Sequence, residues 1–227
     1  ALLYLGETAR NRTTDVAQAM ISLMRKAGVR FAVLADEPAS GSALGDLMGY
    51  VEEVRQQAER CAQAINAVKA PKVIALDLAF MLHQMPEWGI RVEGELTTAA
   101  DFVRDLVKAG RLTVNKLNLT AAYHDATPDA RDLADHDAPR ELLEAMGVQL
   151  REMFLNRRMA KCCGSAVVGR YLPELRAKVA AGRWNDITRT DAKIMVAACP
   201  QSTEALSATV PEGYEYRDLF VMLAERL

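Results

Sequence analysis

Apolar and polar positions along this chain follow two alternating rhythms. "ALLYLG" (1–6) is a continuous apolar run closed by Gly6, the pattern of a buried strand. The period then changes. Val16, Met20, Leu23 and Ala27 recur at helical spacing, Thr14 or Asp15 can cap the start, and Gly28 can close the end. "VRFAVLAD" (29–36) predicts a second strand, "GYVEEVRQQAERCAQAINAVKA" (49–70) a long helix, "PKVIALD" (71–77) a third strand and "TTAADFVRDLVKAG" (97–110) another helix. Near Asn118 the alternation starts again. "LNLTAAYHD" (117–125) predicts a strand. "DAPRELLEAMG" (137–147) predicts a helix with Asp137 placed to cap, Pro139 in the first turn and Gly147 at the close. "VQLREM" (148–153) predicts a strand, "YLPELRAKVAAG" (171–182) and "RTDAKI" (189–194) helix, "KIMVAACP" (193–200) a strand, and "EYRDLFVMLAERL" (215–227) a final amphipathic helix.

Strands that alternate with helices through short connections predict a mostly parallel sheet covered by helices. The two halves also overlay in order. "YLGETARN" matches "YHDATPDA", "EPASGSAL" matches "AKCCGSAV", "PKVIALDLAFML" matches "AKIMVAACPQST" with one residue of register left open, and "DFVRDLVKAGRL" matches "YEYRDLFVMLAERL". A unit of this length is too long for a solenoid repeat. The expected fold is therefore α/β: two tandem Rossmann-like lobes with mostly parallel sheets, related by internal duplication and pseudo-twofold symmetry. The expected division is 1–113 and 114–227, with the seam in the polar stretch from Lys108 to Lys116.

Composition narrows the function. The chain has 227 residues, 50 % of them apolar, a formal net charge of -2 and 6 % aromatic residues. No basic stripe or stacking platform suggests nucleic acid, and no apolar stretch is long enough for a transmembrane span. The N-terminal run is too short for a signal peptide and lacks leading positive charges. Without a starting Met, the chain can be processed, trimmed or cut from something longer. There is no P-loop, GxSxG or HExxH, and the glycines of "GSALGDLMG" (41–49) lack dinucleotide spacing. Ten methionines lie mostly on helical apolar faces, where packing explains them. Four cysteines do not make a disulfide scaffold. Cys61 sits in a helical pattern as a small apolar residue. Cys162, Cys163 and Cys199 remain, a pattern that points to ligands or redox chemistry, and the expected compartment is cytoplasmic. In the overlay, Cys162-Cys163-Gly164 falls on Ala39-Ser40-Gly41, and Cys199 on Asp77 or Leu78.

"YHDATPDARDLADHDAPRELLEAMGVQLREM", then "KCCG", then "AACPQS" resembles the cysteine-rich CCG domain found in heterodisulfide reductase and in glycolate-oxidase-type iron–sulfur subunits. The resemblance implies tandem domains that each hold an iron–sulfur cluster on a C…CCG…CxxC motif. It implies Cys162, Cys163 and Cys199 as the thiolate ligands, with Gly164 and Pro200 as their accompanying residues. Thr127 and Ser202 stand where the family has its first and last cysteine, and the first lobe has none of the set. The implied role is an electron-transfer or disulfide-handling subunit, an oxidoreductase subunit if active. Its implied partners are flavoprotein and ferredoxin-like iron–sulfur subunits of a redox complex, either in the cytoplasm or peripheral to a membrane complex.

A four-iron cubane (4Fe-4S) normally takes four thiolates, and three are present here. The fourth ligand would be a hard donor, Asp125, His124 or Ser202, or a substrate sulfur. Two other readings stay open: a cluster-free scaffold or docking subunit, and a thiol-only redox protein using Cys162 and Cys163. Zinc on three sulfurs and His124 matches no common module spacing. His124, at a strand end, is placed to hydrogen-bond a cluster sulfur, to move a proton, or to bond loop backbone. His83 and His136 read as solvated or capping residues.

Overall fold

A computed structural model describes residues 1–42, 50–76, 78–165 and 171–227. Its strands form two parallel sheets. The first holds β1 (Leu2–Tyr4), β2 (Lys72–Ala75) and β3 (Glu95–Thr98) in that spatial order. The second holds β4 (Thr120–Tyr123), β5 (Gln149–Arg151), β6 (Ile194–Ala197) and β7 (Glu215–Asp218) in the order β5-β4-β6-β7. Ala32 bridges Leu2 on the open side of β1, the place that β5 takes beside β4. With that bridge counted, both sheets have one topology, and the α/β duplication is present in the fold.

The strand expected over 29–36 is reduced to this single bridge. Arg10 explains why. Its guanidinium donates to the carbonyls of Leu34 and Ala35 at 3.1 and 2.8 Å, which diverts that backbone from the ladder.

The described helices are α1 (Gly6–Asn11), α2 (Thr14–Lys26), α3 (Val51–Ala67), α4 (Leu78–Leu82), α5 (Gln84–Glu87), α6 (Ala99–Lys108), α7 (Thr127–Arg131), α8 (Ala138–Ala145), α9 (Pro173–Ile187), α10 (Pro200–Ser207) and α11 (Leu219–Ala224). The segment 189–194, expected as helix, is instead turn leading into β6. The final helix is shorter than expected because Glu215–Asp218 is strand β7. Thr98 and Asp218 end β3 and β7 and cap the helices that follow. Thr98 accepts from Asp101 N, and Asp218 from Phe220 N and Val221 N. These two caps correspond in the two lobes, so the "RDL" overlay of Arg104 on Arg217 is corrected: Arg104 lies within α6, Arg217 within β7. Neither Thr14 nor Asp15 caps α2, whose cap position is Thr13. Asp137 holds the cap position of α8, but its carboxylate turns to Arg157 and His136.

The halves exchange helices across their boundary. α2 of the first packs on α11 of the second, and α8 of the second packs on α6 of the first. Since α2 matches α8 and α6 matches α11, this is one crossing made twice about a pseudo-twofold axis. The α1–α10 and α7–α4 contacts repeat the relation. A shared core follows, with Leu3, Met20, Leu23 and Val103 packed in one cluster with Ala121, Leu143, Val196 and Phe220. Each fully buried large side chain there contributes about 1.5–3 kcal/mol. Alternate strand residues face outward into separate clusters. Leu2 and Tyr4 pack with Val54, Ala58 and Cys61 under α3, and Ala122 with Cys163, Ala180 and Trp184 under α9. Cys61 is buried on α3, as its helical setting implied. Among the described residues no helix is long and apolar enough to cross a membrane.

Candidate functional site

The thiols lie at the C-terminal ends of the second sheet's strands, where parallel sheets build their sites. Two anchors lay the cysteine loop along α9. At one end Gly164 has φ +82°, and a Cβ there would sit 2.9 Å from the Arg176 carbonyl oxygen. At the other, Lys161 Nζ donates to Asp186 at 2.8 Å. Cys162 and Cys163 lie between these anchors, opposite the helix face that carries Val179, Arg183 and Asp186. The half-buried Cys162 accepts from Gly164 N at 3.3 Å. Cys163 is buried and donates to Ser202 Oγ at 3.4 Å.

Ser202 joins this loop to the third cysteine. Cys199 holds the cap position of α10 at the end of β6, and Ser202 follows in the helix's first turn. Cys199 donates to Gln201 Oε1 at 3.1 Å. Both buried thiols hold their protons. Contact with Cys162, then burial, pushes Cys163 well above the usual thiol range. Burial, with the Asp129 charge adding, pushes Cys199 up to about 12. No disulfide joins the described cysteines.

The first lobe keeps the backbone of this site and fills its centre with hydroxyls. Gly41 has φ +94°, and a Cβ there would lie 3.1 Å from the Val54 carbonyl oxygen on α3, as Gly164 does against α9. Ser40 Oγ donates to Ser42 Oγ at 3.0 Å, and Gln57 Nε2 donates to Ala39 O at 2.7 Å. Asp77, one of the two positions that overlay Cys199, and residues 43–49 of the glycine-bearing segment lie outside the described residues.

The hard donors are differently engaged. Asp125 is 1 % exposed and clamped by both Arg140 terminal nitrogens at 2.7 and 3.0 Å, while Arg157 N donates to the same carboxylate at 2.8 Å. That leaves it a structural anchor. Thr127 begins α7. His124 is fully buried, and its Nδ1 accepts from Arg183 Nε at 3.0 Å. The ring is therefore neutral with its proton on Nε2. Burial, then the Arg183 charge, holds its pKa well below the usual range. The ring does not bond loop backbone. Of the remaining histidines, His83 is exposed and His136 bonds Asp137 and Arg157 at the surface.

Arg183 is the residue that sequence reasoning missed. The helix predicted over 171–182 was closed at Gly182, yet α9 continues to Ile187. A mid-helix glycine costs about 1 kcal/mol and need not end a helix. The signal was present in "GRWNDI", where Trp184 and Ile187 continue the apolar face.

The donor set discriminates between a single ion and a cluster. A tetrahedral zinc site with Zn–S of about 2.3 Å needs its donors within about 4 Å of one another. Among the described residues no three His, Cys, Asp or Glu side chains are gathered to hold one metal ion. A cluster spreads its thiolates over several iron atoms. A loop thiol bonded to Ser202, its neighbour Cys162, and Cys199 at the start of the same helix fit that spread, with one thiolate fewer than a cubane takes.

Comparison with known proteins agrees with this chemistry. Residues 122–203, which hold all three thiols, match the cysteine-rich CCG domain. The chain is 31 % identical over 209 residues to a dihydromethanophenazine:CoB–CoM heterodisulfide reductase subunit of Methanosarcina mazei, covering 87 % of this chain and 51 % of that protein. It is 30 % identical over 160 residues to the probable iron–sulfur-binding oxidoreductase FadF of Bacillus subtilis, covering 68 % of this chain and 22 % of that one. It is 29 % identical over 218 residues to the EtfAB:quinone oxidoreductase of Syntrophomonas wolfei, covering 88 % of this chain and 30 % of that one. The chain thus spans about half the length of the first of these relatives and less of the others.

Proposed function

Since residues 122–203 belong to the cysteine-rich CCG domain family, we propose that this chain is an electron-transfer subunit of a heterodisulfide reductase-like redox complex, with Cys162, Cys163 and Cys199 holding an iron–sulfur cluster of the 4Fe-4S type. One observation carries the reading: the Cys163 thiol donates to the Ser202 hydroxyl at 3.4 Å, which ties the Cys162–Cys163 loop to the first turn of the helix that Cys199 opens at the end of β6. Bound there, a cluster would pass single electrons. The chain's own residues would fix its place. Gly164 and the Lys161–Asp186 pair hold the Cys162–Cys163 loop against α9, and the first turn of α10 holds Cys199. The lobe of 114–227 would carry the chemistry and that of 1–113 would complete the fold. Electrons would enter from a flavoprotein or ferredoxin-like partner in the cytoplasm. The names of the relatives support this, being a heterodisulfide reductase subunit, a probable iron–sulfur-binding oxidoreductase and an EtfAB:quinone oxidoreductase.

The test is a visible spectrum and iron assay on anaerobically reconstituted protein. Broad charge-transfer bands with bound iron are expected, and Cys199→Ser should abolish them. Colourless, iron-free protein would sink the reading. It would leave the cluster-free docking subunit, which the hydroxyl-filled loop of the first lobe already exemplifies. A thiol-only protein would instead lose two titratable thiols together on mild oxidation, without metal.

A further inference from the structure

His124 and Arg183 share a hydrogen bond, and each is left with an N–H group that has no acceptor. Arg183 Nε donates to His124 Nδ1 at 3.0 Å. The remaining contacts of Arg183 all run through Nη1, to Asp186 Oδ2 at 3.2 Å, Phe154 O at 3.3 Å and Leu155 O at 3.4 Å. That leaves His124 Nε2 and Arg183 Nη2 buried and without a partner among the described residues. Both side chains are 0 % exposed. Two stranded donors at a single spot are costly, at about 1–3 kcal/mol each and more for a charged group.

Through Arg183 this pair borders the cysteine loop. Arg183 faces the loop between the anchors at Lys161 and Gly164, and its charge interacts with the Cys163 sulfur. One carboxylate, Asp186, answers both Arg183 and Lys161, while Asp125 acts on Arg183 and Asp129 on Cys199 from further off.

The other lobe supplies the control. Matching Gly164 on Gly41 places Arg176 on Val54, Val179 on Gln57 and hence Arg183 on Cys61. Matching Tyr123 on Tyr4 places His124 on Leu5. The lobe without the thiol set therefore builds the same layers with an apolar residue at each position, both buried. The fold does not need this donor pair, and only the lobe with Cys162, Cys163 and Cys199 carries it.

We propose that His124 Nε2–H and Arg183 Nη2–H form a buried donor pair for an anionic sulfur at the cysteine centre, either a sulfide of the cluster or the thiolate of a small organic thiol. The first source rests on the cluster reading and the second does not. Hydrogen bonds to sulfur and nearby positive charge both raise a cluster's reduction potential.

The experiment has two arms, both on the full chain. In the first, reconstituted wild type is compared with Arg183→Met and the charge-retaining Arg183→Lys. Loss of the pair should reduce the reduction equilibrium about tenfold, a shift of about 59 mV to more negative potential, with partial recovery in Arg183→Lys. In the second, iron-free protein labelled with 15N-histidine is titrated anaerobically with 2-mercaptoethanol. The His124 Nε2–H signal should move in wild type and stay still in Arg183→Met. Asp186 keeps Lys161 as its partner in that variant, and His124→Leu, the residue at the matching position of the first lobe, serves as a second variant for the potential should Arg183→Met not fold. An unchanged potential together with an unmoved signal overturns the proposal while leaving a bound cluster intact. A moved signal in protein that takes up no iron overturns the cluster reading and upholds the thiolate source. No iron and no movement overturns both.

Discussion

The Cys163 thiol donates to the Ser202 hydroxyl at 3.4 Å, which puts a hydroxyl against that sulfur where a further thiolate would complete the set. Ser202 is 1 % exposed, and a cysteine there differs by a single atom. Ser202→Cys should raise the iron retained per chain after anaerobic reconstitution roughly twofold, since four thiolates complete a cubane's usual set. Iron content equal to wild type would show that Ser202 does not face the bound group.

Arg140 and Asp125 form the strongest buried pair near the site. Arg140 bonds Asp125 through both terminal nitrogens, spans to Glu152 and lies 5.3 Å from the centre of the Tyr123 ring. Arg140→Met should cost about 3–5 kcal/mol, because it strands a buried carboxylate. Adding Asp125→Asn should recover much of the loss while keeping an acceptor for Arg157 N. Urea denaturation of the single and double variants measures both effects.

Asp218 gives the fold a pH dependence of definite sign. Burial raises its pKa to about 7, although Thr203 Oγ1 and two backbone N–H groups pull it back. The folded chain thus binds this proton more tightly than the unfolded one. The associated stability is complete below about pH 4 and is lost as pH rises through about 7. Asp218→Asn, which can still cap α11, should remove that slope, on the order of a few kcal/mol across the window. Denaturation midpoints at pH 5 and pH 8 should draw apart in wild type and lie closer in the variant, where Asp135, raised by burial to about 6, keeps the remaining slope.

Gly164 sits where a Cβ would press on the Arg176 carbonyl oxygen at 2.9 Å with φ at +82°. Gly164→Ala should destabilise the chain by about 1–3 kcal/mol. Gly41→Ala, with its nearest contact at 3.1 Å, should cost less. Equal Tm values for wild type and both variants would refute the close packing of these loops.

In iron-free protein Cys162 should react with iodoacetamide well before Cys163 and Cys199. It is half-buried, whereas the other two are buried with raised pKa values. Peptide mapping over a time course reads the order, and simultaneous labelling would contradict it.

Much of this architecture was legible in the chain because strand and helix periods are local properties. The strands at Leu2–Tyr4, Lys72–Ala75 and Ile194–Ala197 are apolar on both faces and announce themselves. Glu95–Thr98 and Glu215–Asp218 do not: they are edge strands with polar outer residues, and each runs straight into its helix. The thiols were legible as a set. Their setting was not, because it depends on which helix passes above them. Arg183 is hidden by one glycine, and the capture of Asp125 by Arg140 joins residues on different elements that no local pattern links.

The exchange of helices between the halves has a consequence for how this chain can change. Because α2 rests on α11 and α6 on α8, the interior of each half is walled by the other. The half without the thiol set is thus not a spent copy that could be discarded. It is the counterpart of a clasp, free to lose the paired thiols of its loop yet held to its shape by the partner it closes upon, and a chain divided between its halves would leave two open faces instead of two proteins.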